Sequence, residues 1–152
     1  MNEASPQNAP APDQLRWSGT YLLTSGHHLE VRKRPGVYRI RAFNSQGQAM
    51  PVRRLNGLDP LGILHIGQSI KLGVRVRTFR QAAEGLRAPH QAGIQFNYWG
   101  FAGIFPLQHL RFDYVLVQSQ NEAIRLERQL HEEYRRQYLD RPPLDGTSGQ
   151  SQ

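Results

Sequence analysis

The segment PGVYRIRAF, residues 35–43, alternates with a period of two: Tyr38, Ile40 and Ala42 fall on one side, Val37, Arg39 and Arg41 on the other. Such a period is the signature of a β-strand, here entered through the Pro35-Gly36 turn. A second short apolar run, Gly62 to Gly67 (GILHIG), predicts another strand, and RFDYVLVQ at 111–118 a third. The connection NSQGQAMPVRRLNGLDPL is long for a hairpin and rich in turn residues. It reads as an elaborated loop carrying Arg53 and Arg54.

Helical periodicity fills the intervals. Ser69 as N-cap and Gly85 as stop predict a helix over 70–84 with an apolar stripe of Leu72, Val76, Phe79 and Ala83. Arg75 borders that stripe and can reach the sheet, whereas Arg77 and Arg80 point to solvent. At 119–122, SQNE forms a capping box, which gives Glu122 a structural task at the start of a helix running to about Leu139. Glu127 differs from Glu122. It lies four after Ala123, three before Leu130 and seven before Tyr134, so a carboxylate interrupts the packing face. That placement costs free energy unless the group is paired or binds a cation. Periodicity assigns no element to HQAGIQFNYWGFAGIFPLQHL, and its Gly-interleaved aromatics read as core more readily than as a stacking surface. Residues 1–14 and 146–152 read as a disordered leader and tail around one domain at 15–145.

A formal charge of +7 on 152 residues favours a polyanionic partner, most often nucleic acid. No cysteine is present, so thiolate metal sites and cysteine nucleophiles are excluded, and a metal would need oxygen or histidine ligands. No run of 18 apolar residues and no secretory leader is legible, which gives an expectation of a cytoplasmic protein without membrane contact.

The order strand, strand, helix, strand, helix resembles the GIY-YIG nuclease family, and particular residues carry the likeness. GVY at 36–38 is similar to the first motif, and HIG at 65–67 to the second, with histidine in place of tyrosine. GQS at 67–69 opens the first helix, Arg75 stands eight residues after Gly67, and LERQL at 126–130 puts Glu127 at the family's metal-binding glutamate. PPLD at 142–145 puts Asp145 where the family carries asparagine, and Phe79 stands where many members carry histidine. The likeness spans 35–145. It implies an α+β fold with a small central three-stranded antiparallel sheet flanked by helices. It also implies a divalent-metal-dependent endonuclease acting on nucleic acid, DNA first of all, with Mg2+ or Mn2+ held by Glu127. The implied catalytic residues are Tyr38, His65, Arg75 and Glu127, with Gly36, Gly67, Ser69, Lys71, Arg53, Arg54, His90 and Asp145 on the substrate. Tyr38 would be a general base with its pKa lowered by nearby positive charge, and His65 would orient it or take the proton itself. Cleavage of both strands would call for a homodimer.

Two other readings stand beside this one. The substitution at His65 suits a non-cleaving nucleic-acid-binding module, and the aromatic segment FNYWGFAGIF suits an adaptor that docks a partner protein. DNA versus RNA, and duplex versus single strand, stay open.

Overall fold

The computed structural model describes residues 15–146 and shows an α+β chain in one domain. Strands β1 (Tyr21–Leu22), β2 (Gly36–Arg41), β5 (Ile63–Ser69) and β6 (Arg111–Leu116) form one antiparallel sheet in the order β1-β6-β2-β5. Strands β3 (Val52–Arg54) and β4 (Gly57–Asp59) form a separate two-stranded ribbon. The helices are α1 (Leu72–Ala83), α2 (Gln91–Tyr98) and α3 (Gln120–Tyr138). The sheet therefore has four strands rather than three. The added strand pairs Tyr21 with Phe112 and Leu22 with Arg111, and two residues are too short to announce themselves by alternation.

The alternation of β2 divides the core in two. Val37 faces α3, where it packs with Ile63, Ile66, Ala123, Leu126, Leu130 and Tyr134. Tyr38, Ile40 and Ala42 face the other layer, built from Leu72, Val76 and Phe79 of α1 and Ala92 and Phe96 of α2. Phe79 and Phe96 are wholly buried, and truncating either to alanine costs about 3–5 kcal/mol.

A β-bulge in β5 aims one residue of the site. Ile40 pairs with His65, but the next residue, Arg41, pairs with Ile63, which leaves Leu64 as the extra residue. Ile63 packs under α3 while His65, two residues on, stacks against Phe79 on the opposite face. Unbroken alternation would have kept both on one side, so the extra residue is what turns His65 toward Tyr38.

Local expectations are corrected at several places. Ser69 remains in β5, paired with Gly36, and its hydroxyl accepts from the Lys71 amide at 2.9 Å, so Lys71 occupies the cap position of α1 with no side-chain cap. The helix ends at Ala83, and Gly85 follows in the left-handed region at φ 90°. The 44–61 connection contains the β3-β4 ribbon, and the unassigned aromatic stretch holds α2 followed by turns. The capping box forms in a variant: Ser119 accepts from the Glu122 amide at 3.2 Å, while Glu122 accepts from Gln118 rather than from Ser119. The expected leader, and the expected tail apart from Gly146, lie outside the described residues.

Arg39 and Arg41, the polar members of β2, converge on one carboxylate. Asp113 accepts from Arg39 at 2.9 and 2.5 Å and from Arg41 at 3.1 Å, and the Trp17 ring covers the Arg39 guanidinium at 3.5 Å. Arg41 also donates to the Leu61 carbonyl, which ties the ribbon connection to the sheet. Removing the carboxylate leaves two largely desolvated cations facing each other. Asp113→Ala is expected to lower stability by about 3 kcal/mol or more, with Asp113→Asn in between. Urea unfolding checks this, and an unchanged midpoint refutes it.

Candidate active site

Three rings and a carboxylate form a directional chain of hydrogen bonds beside β5. His90, the N-cap of α2, accepts from the Gly93 amide on Nδ1 at 3.3 Å. Its neutral ring therefore carries the proton on Nε2, which donates to the Tyr38 hydroxyl at 2.7 Å. At the far end, His65 donates from Nδ1 to Asp145 at 2.6 Å. In the tautomer whose one proton is on Nδ1, Nε2 faces Tyr38 at 3.1 Å and accepts its hydroxyl proton. The order is thus His90 to Tyr38 to His65 to Asp145, with every donor matched to one acceptor.

Burial makes this chain electrostatically tense. His90 is held far below the usual imidazole range, to about 2, chiefly by burial, with Arg75 adding to the effect. It stays neutral. Phe79 supplies much of that apolar wall, edge-on to His90 and stacked on His65, so the residue standing where a histidine was expected packs between two imidazoles. Burial likewise pushes the Tyr38 phenol up, and the opposing pull of Arg75 is smaller. The expected lowering of this pKa is therefore corrected: Tyr38 is 1% exposed, and desolvation of a phenolate outweighs the one nearby guanidinium.

Glu127 lies on α3 with its charge felt by Tyr38, His65, Asp145 and Arg75. Its carboxyl is pushed up to about 7, chiefly by burial. No described side chain makes a hydrogen bond or ion pair with it, which sets it apart from Asp59, Asp113 and Asp145, all of them engaged. Arg75 anchors one guanidinium nitrogen on the Pro89 carbonyl at 2.8 Å, next to His90, and keeps the rest of its head partly exposed. Among the described residues no three His, Asp or Glu side chains converge into a metal cage. A hard cation that keeps most of its hydration needs only one or two carboxylates, and Glu127, charged only at a cost and without a protein partner, fits that lesser requirement.

Several residues expected on substrate are taken up by the protein. Asp145 is buried, with one oxygen on His65 and the other accepting from the Ile66 amide at 2.9 Å. A Cβ on Gly67 would stand 2.7 Å from both the His65 Nε2 and the Tyr38 hydroxyl, and one on Gly36 would stand 2.6 Å from the Val115 carbonyl. These glycines make room for the two rings and for β6. Ser69 is occupied by the Lys71 amide, and Lys71 is exposed at the start of α1. Arg54 donates to the Arg141 carbonyl at 2.6 Å and pairs with Asp140 at 3.3 Å, while Arg53 is exposed on β3. Neither joins the cluster. His90, expected on the substrate, is buried at the centre of the cluster.

One residue of the site went unread in the sequence. His131, four after Glu127 on α3, donates from Nε2 to the Ile66 carbonyl at 3.1 Å and stands 3.9 Å from Asp145. The i, i+4 spacing from Glu127 is the signal that was available.

No family model, curated protein or solved structure matches this chain.

An unpaired, half-buried carboxylate leaves a thermodynamic trace. With the folded pKa raised to about 7 from 4.5, the folded protein binds the proton more tightly than the unfolded chain does. Its unfavourable contribution is absent below pH 4.5, builds as pH rises from 4.5 to about 7, and is fully present above that. Glu127→Gln is therefore expected to stabilise the protein at pH 8 by an amount on the order of 2 kcal/mol, with the gain vanishing near pH 4.5. Millimolar Mg2+ should raise the melting temperature of the wild type and leave the variant unmoved. Thermal unfolding at the two pH values checks both, and a variant less stable at pH 8 refutes the assignment.

Proposed function

We propose that the protein is a divalent-metal-dependent endonuclease that hydrolyses phosphodiester bonds in nucleic acid, DNA first of all, and that it works in the manner of the GIY-YIG nucleases its motifs resemble. The observation that carries this reading is the Tyr38 hydroxyl, whose proton is directed at His65 while His90 donates to the same oxygen. Residues that merely fill a core have no need of a buried polar chain with a single direction.

The roles follow from the atoms. Tyr38 passes its proton to His65 Nε2, and the resulting phenolate, kept by the His90 N–H, takes a proton from the attacking water. Asp145 holds the His65 imidazolium that forms, as the third member of a triad holds its base. Burial disfavours the phenolate at rest, so the transfer needs the positive charge of Arg75. Arg75, anchored at Pro89, presents its remaining donors to the phosphate oxygens, where charge builds in the transition state. Glu127 is the residue that would hold Mg2+ or Mn2+. A bound ion supplies a Lewis acid for a phosphoryl oxygen and the departing alkoxide. In this account both rings are needed: Tyr38 meets the water, and His65 takes up the proton that Tyr38 releases.

One observation favours a second reading, a nucleic-acid-binding module that does not cut. Tyr38 is almost entirely buried, and its phenol is pushed away from ionisation. The two readings separate in one assay, with supercoiled, linear and single-stranded DNA incubated with Mg2+ or with EDTA. Cleavage by the wild type only with Mg2+ is expected. Tyr38→Phe and His65→Ala should each lose about 10²- to 10⁴-fold, and Glu127→Gln should lose cleavage while keeping affinity. Tight binding without nicking, or a fully active Tyr38→Phe, would establish the binding module or another base respectively.

A further inference from the structure

We propose that the C-terminal end of α2 is a stacking platform for unpaired nucleobases, so that the nucleic acid crossing this helix on its way to Tyr38 is single-stranded. The inference rests on the nuclease reading above and specifies its substrate.

Sequence logic placed the aromatic run in the core, and the structure divides it. Phe96 is buried, and Phe101 and Phe105 pack against the core cluster, but Tyr98 is 75% and Trp99 68% exposed. Their rings meet edge to face at 5.1 Å, and Ile94, one turn earlier, is also exposed. Two adjacent large aromatics held against each other in water present flat faces to a ligand with a π-surface of its own. Trp99 closes α2, its amide bonded to the Gln95 carbonyl, and Gly100 follows in the left-handed region, so the platform ends the helix on a fixed turn.

Charge identifies the occupant. Between residues 70 and 110 the chain carries Lys71, Arg75, Arg77, Arg80 and Arg87 against the single acid Glu84. Helix α3, on the other side of the sheet, has four arginines balanced by four glutamates. The positive excess therefore sits with the aromatic platform, which is the combination that tracks a phosphate backbone while bases stack. Arg87 follows the Gly85 turn, which lies against Asn97, the residue before Tyr98. Position supports the same conclusion. The other end of α2 is His90, inside the catalytic cluster, and eight helical residues span about 12 Å. A strand laid along α2 thus has its bases on the platform a few nucleotides from the Tyr38 hydroxyl. A base-paired strand keeps its bases inside the duplex and offers the rings only its backbone, so the platform favours unpaired nucleotides.

Tryptophan emission tests this directly, because the chain has two tryptophans and Trp17 lies under Arg39. The full-length Trp17→Phe protein is titrated with a short oligodeoxythymidylate and with a blunt duplex of equal length. Quenching by the single strand and none by the duplex is expected. Tyr98→Ala with Trp99→Ala should weaken single-strand affinity roughly tenfold or more, with duplex affinity and the unfolding midpoint unchanged. Equal single-strand affinity in the double variant, or equal quenching by duplex, overturns the platform. So does a dimer, seen by sedimentation, that the two substitutions dissolve, since the patch then belongs to a second copy of the chain. Mg2+-dependent cleavage by the wild type alongside an unaffected double variant sinks the platform and leaves the nuclease. Patch-dependent binding without cleavage does the opposite. Wild type that binds neither probe sinks both.

Discussion

Both oxygens of Asp145 are committed to the outer edge of β5, and the rest of the site depends on that commitment. One oxygen takes the His65 Nδ1 proton and the other takes the Ile66 amide, while His131 donates to the carbonyl of the same Ile66. An edge strand with open N–H and C=O groups invites pairing with another chain. Here a carboxylate from the closing 142–145 turn and an imidazole from α3 satisfy those groups side by side. The same contact fixes the tautomer of His65, and the tautomer decides which way the Tyr38 proton points. Edge protection, docking of the C-terminal turn and proton direction are thus one interaction seen at three levels.

The polar groups behind the sheet obey a rule that one of them breaks. Asp113 is matched by two arginines, Asp59 by the Leu61 and Ile63 amides and the Tyr134 hydroxyl, and Asp145 by its edge contacts. Buried acceptors satisfied in this way cost little and hold the elements in register. Glu127 is equally able to find a partner from its long side chain, yet it has none among the described residues, and burial pushes it up to about 7. A stability-driven sequence would place leucine or glutamine there. Local conflict of this kind, in an otherwise consistent fold, is where function is to be sought.

Much of the scaffold was legible because periodicity reports burial. The alternation of β2, the stripe of α1 and the capping box of α3 each follow from one-sided packing, and Glu127 stood out because it violates a stripe. What escaped did so for physical reasons. The two-residue β1 is below the length at which alternation means anything, and α2 has a helical period hidden by aromatics that serve two environments. The bulge at Leu64 cannot be read from GILHIG, yet without it His65 would face α3. His90 looked solvated because it precedes a segment without recognised structure. Once α2 forms, the same residue is a buried cap, and its tautomer follows from the Gly93 amide. The glycines were read as openings for a ligand, but at Gly67 the space is filled by the protein's own rings. Sequence patterns report which residues leave water. They do not report which of two buried partners a polar group will choose.

The sheet finally acts as a partition between two kinds of surface. On one side α3 carries balanced charge, and the chemistry it contributes, Glu127 and His131, points inward at β5. On the other side the α1 and α2 layer carries Arg75 and His90 inward and Arg77 and Arg87 exposed, with Arg80 paired to Glu84 at 3.8 Å. On the proposed function, a polyanion would be attracted to the second side and repelled little by the first, and would arrive over α1 and α2. The cluster is assembled from both sides of the sheet at its β5 edge: Arg75 and His90 from the basic layer, the Glu127 carboxylate from α3, and between them the Tyr38 and His65 rings that the bulge has turned to face each other. Arg75, the basic-layer cation whose charge reaches Glu127, is held by the Pro89 carbonyl, so it leaves the carboxylate without an ion-pair partner where the two surfaces meet.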